Sequence, residues 1–211
     1  MTYAMCNLIG KKLPQYSIQP DYLRPHPQTS VGIELEVEGI RPDPSVLKRW
    51  RVVPDGSLRD GCELVSDPVW GSAIEDALGE IRELYANNPP VLSSRTSVHI
   101  HVNVLDMSTE ELSRLIRLYI YYERALFRMH DDWHRSENIF CVPCYKSYEI
   151  QEGYARLLRD LSRNNLESNY LDYKYSGMNP NSLQAYGTLE FRHMGGTSDI
   201  NKIMSWIDVL L

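Results

Sequence analysis

Long apolar runs are missing from this chain. The longest stretches are broken by charge, as in Leu115-Ile-Arg-Leu-Tyr119, so no membrane span is expected. Cysteine is sparse: Cys6, Cys62, Cys141 and Cys144 are too few and too scattered for a secreted disulfide framework. The N-terminal residues carry their lysines after the apolar stretch and have no small-residue cleavage site, unlike a signal peptide. Together these absences lead to the expectation of a reduced, cytoplasmic protein. Basic charge is in the minority, with 22 Lys and Arg against 28 Asp and Glu, which argues against nucleic acid or an anionic membrane as partner. Repeats and low-complexity tracts are absent too, which excludes a solenoid. What is present is ordinary for a globular chain of 211 residues: 43% apolar and 24% charged residues. Phenylalanine is rare beside fourteen tyrosines, which fits either amphipathic surfaces at a groove or interface, or drift.

Residues 1–30 hold Pro14, Pro20, Pro25 and Pro27 with little periodicity and read as an irregular N-terminal arm. One domain is expected over 31–211. Val31 to Glu38 alternates apolar and polar, the period of a strand with two unlike faces. Short strands follow at Trp50–Val53 and Cys62–Val65, around a Pro54-Asp-Gly-Ser57 turn. Thr96 to Val104 alternates again, and Gly187 to His193 reads as a last strand closed by a Gly195-Gly196 turn. Between them lie helical stripes. One opens at Ser72-Ala-Ile-Glu75 and a second at Ser108-Thr-Glu-Glu111, both capping-box patterns. A third runs from Tyr148 to about Asn164, after a polar loop at 131–146, and Asp199 caps a short final helix. Strands interleaved with helices in this way give an α+β fold with one sheet face exposed to chemistry.

Side chains two apart on a strand share a face. Glu34 and Glu36 therefore point together, as do His99 and His101, and Glu190 and Arg192. Acidic residues also blunt sheet edges, and a lone surface histidine or a local Glu–Arg pair carries no function by itself. Asp55 and Glu63 add two further acids. A face carrying several carboxylates and two histidines needs a compensating charge. Oxygen donors with a minority of imidazole suit Mg²⁺ or Mn²⁺ better than zinc, and arginine suits a transferred phosphate.

Gly32-Ile-Glu34-Leu-Glu36, Asp55-Gly-Ser-Leu with Glu63-Leu-Val-Ser, His99-Ile-His101-Val, and Gly187-Thr-Leu-Glu190-Phe-Arg192 occur in the order seen in the amidoligase family of carboxylate–amine ligases. The chain resembles that family from about Val31 onward. The resemblance implies a glutamine synthetase-like fold: a curved, mostly antiparallel sheet with a catalytic concave face and helices on the other side. It implies an ATP-dependent C–N ligase using Mg²⁺, or Mn²⁺, that forms an amide or isopeptide bond through an acyl phosphate. By the same resemblance Glu34, Glu36, Asp55, Glu63, His99 and Glu190 are metal ligands, with Asp55 standing where Glu is more usual. Arg192 steadies the transferred phosphoryl, His101 faces the nucleotide, and Glu36, Glu190 and Arg192 are the catalytic core. Arg135, Asn138 and Cys141 occupy a segment that varies with substrate in the family. Asn179 lies in the stretch before the Glu-Phe-Arg strand; all four are substrate-binding candidates. The substrates would be a small-molecule or peptide carboxylate and amine, or a group on a protein.

Other readings remain. Cys141-Val-Pro-Cys144 is a CxxC with His130 and His134 upstream, but lacks the second CxxC or ββα context of a zinc site. No βαβ unit precedes it for a thioredoxin-like pair. A guanidino kinase-like phosphotransferase on the same architecture, or a non-catalytic binding or structural protein, would share the fold and differ in its products.

Overall fold

The computed structural model describes residues 5–10, 29–130, 132–167, 169–172 and 174–211. The chain divides into two compact units, Ile18–Val102 with Met194–Leu211, and Met1–Ser17 with Asn103–His193. The irregular arm expected over 1–30 falls mostly outside the described residues. Met5–Ile9 forms a short helix, α1, whose Met5 amide donates to the Met107 carbonyl at 2.8 Å.

The first unit is built on four antiparallel strands: β1 (Val31–Glu38), β2 (Trp50–Val53), β3 (Gly61–Ser66) and β4 (Ser97–Asn103), in the order β2-β3-β1-β4. The alternation in β1 has its predicted effect. Val31, Ile33, Leu35 and Val37 are 0–2% exposed, while Gly32, Glu34, Glu36 and Glu38 project from the opposite face. Helix α2 (Ser72–Asn87) buries Ile74, Ala77, Leu78, Ile81 and Tyr85. The Trp50 indole donates to the Ala77 carbonyl at 2.9 Å, fastening α2 to β2. Another helix of this unit, Ile200–Leu210, buries Ile200, Ile203, Trp206 and Ile207. Its cap is the expected Asp199, which accepts from the amides of Asn201 and Lys202. The cap of α2 differs from the expected box. Gly71, at φ 54°, occupies the cap with no side-chain bond, and Ser72 is already helical. Gly195 ends a strand rather than a turn. Gly196 follows it, with its amide bonded to the Thr96 carbonyl so closely that a Cβ would lie 2.1 Å from Thr96 Oγ1.

The second unit holds α3 (Thr109–Met129), α4 (Tyr148–Ser162), β5 (Met178–Asn179), α5 (Ser182–Tyr186) and most of β6 (Thr188–Gly195). The final helix of the first unit is accordingly α6. Ser108 and Glu111 form the predicted capping box at the start of α3. α3 and α4 pack together, with the rings of Tyr119 and Tyr154 meeting edge to face at 6.0 Å. β5 pairs antiparallel with β6, setting Asn179 opposite Glu190. The observed class is the α+β fold with antiparallel strand pairing that the sequence implies. Among the described residues no helix is long and apolar enough to cross a membrane.

Candidate active site

Strand register builds a site within the first unit. In the antiparallel pair of β1 and β4, Glu34 faces His99, Glu36 faces Ser97 and Gly32 faces His101. On the other side of β1, Glu36 faces Glu63 of β3. Directly opposed residues share a sheet face, so three neighbouring strands present three carboxylates and two imidazoles together. Glu34 bridges the histidines: His99 Nδ1 lies 3.2 Å from Oε2, and His101 Nε2 lies 3.1 Å from Oε1. Ser97 Oγ hydrogen-bonds Glu36 and lies 2.7 Å from His99 Nε2. A hydroxyl has one proton, so if Ser97 donates to Glu36, the second contact needs a proton on His99 Nε2. Glu34 and Glu36 thus flank the His99 ring, 3.2 Å from Nδ1 and 3.8 Å from Nε2, so a cation bound by these acids meets an imidazole nitrogen beside them.

The carboxylates perturb one another in opposite directions. Burial works against ionised Glu34, but hydrogen bonds and charge from His101 and His99 outweigh it and hold the acid well below its usual range. Glu63 is pushed up to about 8 by burial first, then by the charges of Glu34, Glu36 and Asp55. One acid of this set therefore keeps its proton near neutrality unless a cation compensates it. Ligand atoms of Glu34, Glu63 and His99 lie within 4.8 Å of one another, which fits a divalent ion with mixed oxygen and imidazole donors.

Asp55 sits on the β2–β3 loop, where its carboxylate accepts from the Ser57 amide at 2.7 Å. Arg95 Nη1 donates to the Ser57 carbonyl at 2.7 Å, and Glu38 accepts from the Arg59 amide at 2.7 Å. Glu38 thus continues the acidic row of β1 in order to fasten the loop that carries Asp55. Ser97 and Arg95 were not singled out from sequence. Ser97 could have been, since it continues the His99–His101 alternation by one step.

In the second unit, taken by itself, Glu190 and Arg192 form a second polar group. Both are buried on β6, with Arg192 Nη1 bonded to Glu190 Oε1. Asn179 Nδ2 holds the other carboxylate oxygen at 2.7 Å. Arg192 Nε donates to the Phe140 carbonyl at 3.4 Å, and its guanidinium lies 5.8 Å from the Tyr175 ring centre. The remaining substrate candidates support this arrangement from behind. Arg135, 1% exposed, donates from Nε to the Arg192 carbonyl at 3.1 Å, and Asn138 Oδ1 accepts from the Phe140 amide. Cys141 is fully buried, and burial pushes its thiol up to about 11 despite the nearby guanidiniums of Arg135 and Arg192. Cys144 is likewise pushed up to about 12, and both are free thiols. Thiols held protonated are poor zinc ligands, and among the described residues no candidate metal cluster includes them.

Behind β6 lies a buried polar chain. Glu123 accepts from the Tyr119 hydroxyl at 2.7 Å and from the Cys144 amide at 2.9 Å. Since that hydroxyl proton goes to Glu123, His193 Nε2, 3.2 Å from Tyr119 Oη, is the donor of its pair. Burial, with smaller contributions from His130 and Arg135, pushes His193 down to about 3, from a usual 6.5. Between those values the unfolded chain binds a proton that the folded chain refuses. Stability from this group is therefore full above 6.5 and is lost as pH falls towards 3. Relative to a His193→Gln variant, the wild-type chain should lose up to about 1.4 kcal/mol per pH unit over that range in urea denaturation. A difference independent of pH would contradict the buried neutral histidine.

A family model described as "Putative amidoligase enzyme" matches residues 43–211. It begins after β1, so Glu34 and Glu36 lie outside the matched segment and rest on geometry. No curated protein and no solved structure matches the chain.

Proposed function

The chain belongs to this amidoligase family, and from that premise we propose that it is an ATP-dependent carboxylate–amine ligase. The observation that carries the reading is the convergence of Glu34, Glu63 and His99 ligand atoms within 4.8 Å, where burial and then the neighbouring carboxylates hold Glu63 up at about 8. Glu34, Glu36, Asp55, Glu63 and His99 would hold Mg²⁺ or Mn²⁺, and Glu190 is likewise assigned as a metal ligand. Such ions, when bound, neutralise charge on the nucleotide phosphates.

The protein groups do the rest. Arg192 presents a planar guanidinium to the transferring phosphoryl, and Glu190, Asn179 and Phe140 fix its orientation. The substrate carboxylate oxygen attacks the γ-phosphorus of ATP and ADP leaves, giving an acyl phosphate. The amine nitrogen then attacks the acyl carbon, phosphate departs with the C–O bonding pair, and a base takes the amine proton. His101 is assigned to the nucleotide side.

The test is Mg²⁺-dependent ADP release from ATP across a panel of amino acids and short peptides, with mass spectrometry of the products. The expected result is ADP, free phosphate and a new amide in equal amounts. Phosphoryl retained on the acceptor would instead identify a phosphotransferase. Nucleotide and metal binding without turnover in any mixture would leave a non-catalytic member of the family.

A further inference from the structure

The second unit contains a cavity of about 320 Å³, within the range of small-molecule sites. It is bounded by the first turns of α4, by Tyr170, Leu171, Asp172 and Tyr175, and by Ile139 and Val142. None of the groups assigned above to metal or phosphoryl lines it. Its chemistry is uneven. Glu149 and Glu152, three apart on one helical face, and Asp172 supply three exposed carboxylates against the guanidinium of Arg156, and Glu152 also lies 3.9 Å from Arg159 Nη2. The Arg156 guanidinium is engaged, donating from Nη2 to the Tyr170 carbonyl at 2.7 Å. The remaining surface is apolar or aromatic, from Ile139, Val142, Ile150, Leu171 and the rings of Tyr148 and Tyr175.

Two features orient the cavity. Tyr175 is part of its wall, and the same ring lies 5.8 Å from the Arg192 guanidinium and 5.4 Å from Phe140. Tyr175 is thus shared between the cavity and the surroundings of Arg192. The N-terminus of α4 would favour an anion. However, Ser147 Oγ caps the Ile150 amide, and Glu149 already places a negative charge in that first turn. An ammonium with an apolar body matches what is left. Carboxylates take the charge, the tyrosine faces add cation–π attraction, and the aliphatic side chains cover the body.

Resting on the ligase reading, we propose that this cavity is the subsite for the amine substrate, and that it takes a primary amine on an apolar group the size of an amino acid. The acidic rim holds the amine as an ammonium, and the base of the ligation step takes a proton from it so that the neutral nitrogen can attack.

The test uses the full chain without nucleotide or metal, so that binding is read apart from catalysis. L-Leucinamide is titrated by calorimetry beside neutral N-acetyl-L-leucinamide and anionic N-acetyl-L-leucine. Saturable binding of leucinamide, at least tenfold tighter than either acetylated compound, is expected. In the triple variant Glu149→Gln, Glu152→Gln, Asp172→Asn this affinity should fall at least tenfold with an unchanged melting temperature. A single Glu149→Gln chain serves if the triple variant melts early, and should show a smaller fall in the same direction. Absence of leucinamide binding, equal affinity in the variants, or preference for N-acetyl-L-leucine would overturn the assignment. Leucinamide binding in a chain that never forms ADP would leave the subsite standing and remove the ligase reading instead.

Discussion

Glu36→Ala is expected to lower Mg²⁺-dependent ADP formation by at least about a thousandfold while the chain stays folded. The activity loss follows from removing a carboxylate at the centre of the β1 face, opposite Glu63 on one side and Ser97 on the other. Retention of the fold follows from the electrostatics. Ser97 loses its acceptor, at a cost of about 1–3 kcal/mol, but one of the charges that push Glu63 up disappears as well. Glu190 requires a different replacement. Alanine there would strand the Arg192 guanidinium, 3% exposed, at about 3–5 kcal/mol. Glu190→Gln keeps an oxygen for it, and should lose activity on a similar scale. ADP release and a thermal melt on each variant check both halves. Full activity in both Glu36→Ala and Glu190→Gln would end the assignment of these acids to catalysis.

A substitution far smaller in size should also cost stability. In Gly177→Ala the new Cβ would lie 2.7 Å from Tyr119 Oη and 3.1 Å from both His193 Nε2 and a Phe127 ring carbon. All three are buried, Tyr119 and His193 within the Glu123 chain and Phe127 with its ring 4.5 Å from that of His193, so they have little room to withdraw. The glycine backbone is fixed as well: its amide donates to Val142 and its carbonyl accepts from Arg192. Overpacking of this kind costs about 1–3 kcal/mol, and the strained Tyr119–His193 bond adds to it. A fall in melting temperature of roughly 5–15 °C is expected. Gly79→Ala is the control. It lies within α2 with nothing within 4 Å of a new Cβ, and should gain about 0.5–1 kcal/mol. Equal melting temperatures for the two variants would show that the contacts around Gly177 are looser than described.

The parts of the fold that were legible from sequence are those where a short-range pattern has a single structural solution. Val31–Glu38 and Ser97–Asn103 alternate, so their faces followed, and the pairing of Glu34 with His99 required only that the two strands be neighbours. Ser108 and Glu111 bond within one turn, so that cap could be read directly. Gly71 could not, because its cap depends on a left-handed φ that no side chain announces. Segment 131–146 reads as a polar loop, yet Arg135, Cys141 and Cys144 within it are buried. Their partners, the Arg192 carbonyl and Glu123, lie 57 and 21 residues away in the chain, and no local periodicity encodes such a bond. Glu38 shows the same limit from the other side. Its place in the acidic row was evident, but its bond to the Arg59 amide belongs to a loop conformation.

The strand register has a consequence for how this chain can change length. Four side chains of β1 are 0–2% exposed, and the residues between them carry the acids. One codon inserted or deleted between Gly32 and Glu36 would exchange the two sets beyond that point, placing carboxylates in the interior and aliphatic groups on the reactive face. Substitutions here can be graded, whereas a frame-preserving indel cannot. In a library of single-residue insertions selected only for folded protein, the interior of β1 should therefore be as empty of survivors as it would be under selection for activity.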